Sequence, residues 1–236
     1  MFLALLLRLL PAASDAQALL VNADKIANGY ADQHIVMSMI VDDNGATKQA
    51  RLETMQKGGS KRFIRFLAPG DVKGMSILIE SRDNMYVYLP QFQKVRRIAG
   101  HARNQSFMDA DFSNDDMGAI NYADAWTPTL ESETDSEAKL RLRPKAGVDS
   151  EFDTLLVSID KKSGVLTTIE YFHGDKAVKR QTRNFKDITT KDAEVSSIVM
   201  EDLTRKHKTT LQMELVENNK GLSDSLFTKQ NLERQR

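Results

Sequence analysis

Residues 34–57, HIVMSMIVDDNGATKQARLETMQK, carry the signal that decides the fold. Ile35, Met37, Met39 and Val41 alternate with Val36, Ser38, Ile40 and Asp42. This is the two-residue period of a strand whose successive side chains face opposite ways. Asp43-Asn44-Gly45 then offers residue types that tolerate the left-handed backbone of a tight hairpin turn. The return arm, roughly 46–57, sets Ala50 and Leu52 against Arg51 and Glu53, and Gly58-Gly59 turns the chain again. A β-hairpin is predicted here.

The rhythm continues outward. Strands are predicted at 60–67, 75–81, 84–89, 93–99, 138–144, 153–160, 165–172, 176–186, 195–203 and 207–217. Pro69-Gly70, Arg82-Asp83-Asn84, the stretch 161–164 and Gly174-Asp175 supply turn residues between them. So many strands at hairpin spacing, with few helices, predict a mainly β fold: one antiparallel sheet curled into a barrel or half-barrel. Charged positions alternate with apolar ones, as expected when only one sheet face is covered. Upstream, Leu20, Ala23, Ile26, Ala27 and Tyr30 recur at three- and four-residue steps and predict a helix over about 20–31. Residues 100–130 hold Phe107, Met108, Phe112, Met117, Ile120, Tyr122 and Trp126 without alternation. They read as a loop with one or two short helices lying across the sheet, followed by an acidic turn at 131–137.

Composition narrows the classes of function. With 236 residues, 41% of them hydrophobic and 28% charged, the chain can bury one good core. Lys+Arg and Asp+Glu balance at 33 each, which argues against a nucleic-acid partner. The absence of cysteine excludes disulfides, a thiol nucleophile and a lipid anchor on an N-terminal cysteine. Residues 1–18, MFLALLLRLLPAASDAQA, have the apolar core and the Ala16-Gln17-Ala18 site of a signal peptide. Cleavage after Ala18 leaves a single domain over 19–236, and the missing basic start points to an initiation site further upstream.

Catalytic signatures do not emerge. His34, His101, His173 and His207 are far apart and read as scattered surface residues without metal-ligand spacing. The acids Asp109, Asp111, Asp115 and Asp116 begin like a calcium loop, but Asn114 stands where glycine is needed and Ile120 where the bidentate glutamate belongs. A capping role for Ser113, Asn114 or Asp115 is the plainer reading. No cofactor and no metal are expected. The basic run Lys94, Arg96, Arg97, His101 and Arg103 suits either a solvated edge strand or a docking surface for an acidic partner. Ten methionines suit an irregular apolar cavity and equally suit an ordinary core.

Five stretches together resemble the periplasmic outer-membrane lipoprotein-sorting proteins, the LolA-like carriers. They are RFLAPGDVKGMSILI (65–79), MYVYLPQFQKVRRIAG (85–100), QSFMDADFSNDDM (105–117), VMEDLTRKHKTTL (199–211) and LFTKQNLER (226–234). Asp109 departs from that pattern, where a small residue, often glycine, is usual, and Tyr86 stands where tryptophan is common. The resemblance implies an incomplete β-barrel, or half-pipe, with an N-terminal helix and a short helical lid, acting in the periplasm as a monomer without catalysis. It implies an apolar cleft for the acyl chains of a lipid or lipoprotein, an inner-membrane exporter, with the resistance-nodulation-division type as one candidate, and an outer-membrane acceptor. On the alternation read above, Met37, Met39, Ile64, Phe66, Ile77, Ile79 and Val87 are candidate cleft walls, and Phe107, Met108, Phe112 and Met117 form the candidate lid. Arg96 and Arg97 are the candidate docking residues. Two other readings stay open: a lipid-sensing periplasmic regulator on the same scaffold, and a hydrolase using the acids of 109–116.

Overall fold

The hairpin forms as β1 (Asp32–Asp43) and β2 (Ala46–Lys57), in a computed structural model that describes residues 14–59, 61–81, 83–102, 105–118, 121–188 and 193–234. Asn44 and Gly45 are both left-handed (φ 52° and 94°), Asp43 pairs with Ala46 across them, and the Gly45 amide donates to the Asp42 carboxylate at 2.8 Å. A turn of this hand matches the twist of the flanking strands. The other strands are β3 (Lys61–Ala68), β4 (Ser76–Ser81), β5 (Asn84–Leu89), β6 (Lys94–Arg97), β7 (Trp126–Glu133), β8 (Glu137–Pro144), β9 (Thr154–Asp160), β10 (Leu166–His173), β11 (Lys176–Phe185), β12 (Val195–Asp202) and β13 (His207–Asn218).

They build one 13-stranded antiparallel sheet in the order β6-β5-β4-β3-β2-β1-β13-β12-β11-β10-β9-β8-β7. The order is two meanders joined where β1 pairs with β13. The sheet does not close, so β6 and β7 are its two edges and the fold is the expected half-barrel. One consequence positions the site. The chain leaves the first meander at one edge and enters the second at the other, so the segment between β6 and β7 must cross the open mouth.

Three expectations need correction. Residues 126–133 are the strand β7, not a loop and acidic turn. Only Trp126 in this strand is buried, and Pro128 is tolerated because β7 is an edge, so its alternation is thin. The N-terminal helix α1 is Ala16–Asn28, capped by the Asp15 carboxylate, which accepts from the amides of Gln17 and Ala18. Leu20 and Ala23 are buried, whereas Tyr30 lies beyond the helix and is exposed. The expected cleavage point after Ala18 therefore falls in the first turn of α1, and residues 1–13 lie outside the described ones.

The third correction concerns the outer face, which is not simply solvated. Met55, Phe63, Leu78 and Tyr88 form a second core there under Phe227 and Leu232 of the C-terminal segment, which ends in the short helix α4 (Lys229–Arg234). Strands β3 to β5 are apolar on both parities for this reason. Tyr86 faces this outer side, with the Lys229 ammonium 3.9 Å from its ring centre, and so does not shape the cleft. The C-terminal segment is tied down by the buried Asp32, whose carboxylate accepts from the amides of Lys220, Gly221 and Leu222 at 2.7, 2.9 and 3.1 Å.

Candidate functional site

The concave face is an apolar trough with two walls. Met37, Met39, Ile64, Phe66, Ile77 and Ile79 from β1, β3 and β4 lie together in the main core, and Val87 packs against it. The opposite wall comes from the second meander and includes Leu140, Val157, Ile169, Met200 and Leu211. The wall residues expected from the sequence all lie in the first meander. The same alternation in 138–144, 153–160 and 165–172 was available to find the second wall.

The crossing segment fills this trough. Residues 105–114 form a narrow hairpin loop, closed by a bridge between Ser106 and Ser113 and by the Phe107 amide donating to the Phe112 carbonyl at 2.8 Å. Its tip inserts Phe107 and Phe112, both buried, into the main core, with the Phe107 ring centre 5.6 Å from that of Phe66. Met108 and Met117 are half-buried against the same core. The predicted helices are single turns that follow the loop: α2 (Asn114–Gly118) and α3 (Tyr122–Ala125). Met108 and Asp109 are consecutive left-handed residues (φ 53° and 60°). That backbone favours glycine at 109, the residue type usual there in the sequence pattern.

The acids of this segment diverge and gather no metal site. Asp109 is exposed and pairs with Lys48 at 3.2 Å. The buried Asp111 accepts from Thr209 Oγ at 2.7 Å and lies 2.7 Å from His207 Nδ1, while its amide donates to the same Thr209 hydroxyl. His207 is therefore a buried residue fixing the loop to β13, not a surface histidine. His34 is held between Glu53 and Glu217 at 3.1 and 3.4 Å. Asp116 accepts from the Ser113 amide and hydroxyl, and its own amide donates to Ser113 Oγ, a reciprocal cap on α2. Among the described residues no group of three potential ligands could hold a metal ion. Ile120 and Arg103 lie outside the described residues.

Beside the loop lies a small, partly open pocket of about 40 Å3, with Tyr122, Trp126, Phe152, Leu155 and Tyr171 on its apolar side and Ser113, Asp115, Asp116, Ser150 and Glu151 on its polar side. Beneath it the interior turns polar. Arg62 shares the inward parity of Ile64 and Phe66, donating from Nη1 to the Met117 carbonyl at 2.6 Å and from Nη2 to Gln56 at 2.8 Å. Burial lowers its pKa to about 10, with Tyr122 pulling upward and Arg183 pushing down, so it stays charged at neutral pH. Asp24 of α1 accepts from the amides of Tyr122 and Ala123 and so starts α3; burial raises its carboxyl despite these bonds. Arg96 and Arg97 are exposed on the edge strand β6, Arg96 over the exposed Phe92 ring at 5.8 Å and Arg97 donating to the Asp83 carbonyl at 2.9 Å.

An open half-barrel with an apolar trough plugged by its own chain is the LolA-like fold, and solved structures agree. A DUF1329 family protein from Desulfovibrio piger is 24% identical, with a TM-score of 0.81 over 92% of this chain and 97% of that one. A putative outer membrane lipoprotein-sorting protein domain from Vibrio parahaemolyticus is 20% identical, with a TM-score of 0.80 over 93% and 98%. A LolA superfamily protein from Nitrosomonas europaea is 20% identical, with a TM-score of 0.76 over 93% and 100%. A family model whose description reads "-like: Uncharacterized protein" matches residues 58–234, most of the chain, and the chain belongs to that family. No curated protein matches it.

Proposed function

We propose that this protein is a non-catalytic carrier of acyl chains in the bacterial periplasm, exported as a precursor and acting as a monomer. It takes a lipid or the acyl chains of a lipoprotein from an inner-membrane exporter of the resistance-nodulation-division type and passes them towards an outer-membrane acceptor. The observation that supports this most directly is the plug: Phe107 and Phe112 fill a trough whose walls are otherwise Met, Ile, Leu and Phe. Burying two phenylalanine side chains stabilises the closed form by about 3–6 kcal/mol, at roughly 1.5–3 kcal/mol each. An acyl chain gains about 0.8 kcal/mol per methylene, so about four to eight methylenes offset the plug. A longer chain leaves a surplus, and the returning plug assists release.

The resemblance of the fold to lipoprotein-sorting proteins supports the same reading. The experiment is mass spectrometry of lipids extracted from protein purified out of its native periplasm, paired with uptake of labelled phospholipid from vesicles. Acyl lipids at near-stoichiometric amounts are expected. Protein that comes ligand-free and takes up nothing from vesicles would overturn the carrier reading.

A further inference from the structure

The trough is apolar almost throughout, yet Arg62 on β3 and Arg183 on β11 both occupy inward-facing positions. Arg62 pairs across β3 and β4 with Ile79, and Arg183 across β11 and β12 with Ile198, both on the core side. Burying a guanidinium is costly unless an acid or strong acceptors accompany it. Arg62 has no acid within hydrogen-bonding reach among the described residues, and the partly exposed Arg183 feels the Asp24 carboxylate only through space. Arg62 reaches only the neutral oxygens of Met117 and Gln56, and its Nε is shielded from solvent with no hydrogen-bond partner. Arg183 donates from Nε to the amide oxygen of the buried Gln181 at 2.9 Å.

The neighbouring acids are engaged elsewhere. Asp116 is bound by Lys179 at 2.6 Å, Asp24 by the amides that open α3, and Asp111 by His207 and Thr209. Lys179, the third inward cation of this region, is thereby neutralised. The Tyr122 and Tyr171 phenols line the pocket, interact with each other and lie within the field of Arg183, adding neutral donors to the region.

We propose that Arg62 and Arg183 form an anion subsite that takes the carboxylate or phosphate head of an acyl lipid whose chain lies in the trough. The proposal rests on the carrier reading and narrows it from acyl chains in general to lipids with an anionic head. When the plug leaves, Met117 withdraws its carbonyl from Arg62. The Nε–Nη edge then presents the planar fork that suits a carboxylate or phosphate, and bonds to an anionic oxygen are roughly twice as strong as those to the neutral oxygens they replace. Asp115 and Asp116 line the pocket from α2, next in the chain after the plug, and Glu151 lines it as well; when α2 leaves with the plug, Asp116 also releases Lys179, and a third cation joins the two arginines.

Quenching of Trp126, the single tryptophan and part of the pocket lining, reports binding directly. The probes are dodecanoate, dodecyl phosphate and the uncharged dodecanol. One of the anions is expected to bind at least about tenfold more tightly than dodecanol, the effect of one hydrogen bond to a charged group. The tighter anion identifies a free fatty acid or a phospholipid as the source. Arg62→Gln and Arg183→Gln should each remove most of that preference, read as the ratio of anion to dodecanol affinity so that any change in plug opening cancels, and Arg183→Lys should keep it. If Arg62→Gln fails to fold, the half-exposed Arg183 carries the test alone. Equal affinity of the wild-type protein for all the probes, or equal weakening of all of them by the glutamine variants, overturns the subsite and leaves the carrier standing. Failure of every probe to bind overturns both.

Discussion

Asp109 shows how a single residue records the shape of the plug. Its φ of 60° follows the left-handed Met108, and its side chain points into solvent towards Lys48. Nothing in its side-chain contacts demands aspartate. Asp109→Gly should therefore be neutral or stabilise the protein by up to about 1 kcal/mol, whereas Asp109→Val should cost about 1–2 kcal/mol, because a β-branched residue is strained in that backbone. Chemical denaturation of the two variants separates them, and equal midpoints would refute the backbone argument. Two residues further on the logic reverses. Asp111→Ala leaves the buried His207 and Thr209 without their acceptor and should cost roughly 1–3 kcal/mol. The loss should be concentrated in the plug, so that amide exchange across 105–114 accelerates more than exchange in β13. Neither role is legible from sequence. The acids of 109–116 look alike in a string, and the partners that distinguish Asp111 from Asp109 stand 96 and 98 residues away.

At the scale of elements, legibility follows burial symmetry. Strands with one apolar parity, such as β1, are plain in the sequence. β7 is obscured because an edge strand carrying Pro128 needs few apolar residues, and α1 begins earlier than its apolar stripe because Asp15, a polar cap, sets its start. Arg62 shares its parity with Ile64 and Phe66, so the strand pattern itself marks an inward charge. The C-terminal segment and the edge β6 carry tests of their own. Burial pushes the Asp32 carboxyl up, but three amides and Lys57 together hold it below the usual carboxylate range. A depressed acid stabilises the fold above its unfolded pKa, near 3.9, and loses that contribution as pH falls through the lower folded value. Protection of the amides of 220–222 should thus fall as pH drops below about 4, and Asp32→Ala should remove the protection and its pH dependence together. Retained protection in the alanine variant would place the anchor elsewhere. On β6, Arg96→Glu with Arg97→Glu should slow association with an acidic membrane partner, with an effect that fades as salt rises, while lipid affinity stays the same. Salt-independent association would exclude β6 from docking.

The whole molecule is governed by one topological fact: a sheet of two meanders leaves its edges apart, and the chain between them must span the mouth. The first meander alone would expose its apolar inner face, and so would the second. The crossing segment is therefore both connection and cover, with its tip held inside by Phe107, Phe112 and the bonds of Asp111 to β13. If cargo enters the trough, this cover has to move; if the cover is ordinary core, it need not. The chain has no cysteine, so a single new pair can decide between these. Asp111→Cys with Thr209→Cys links the plug to β13 at positions whose backbone amide and hydroxyl already meet at 2.8 Å. The crosslink closes a loop across a separation of 98 residues, which in the chain-entropy view stabilises the protein by up to about 4–5 kcal/mol less any strain and the lost Asp111 bonds. The oxidised form should melt higher than the same protein reduced and take up no lipid from vesicles, and a reductant should restore uptake. A variant with Asp111→Ser and Thr209→Ser supplies the uncrosslinked reference for both readouts. Oxidised protein that loads lipid as fast as its reduced form would mean that cargo binds without displacing the plug, and the trough behind it would then be a core rather than a carrier's cleft.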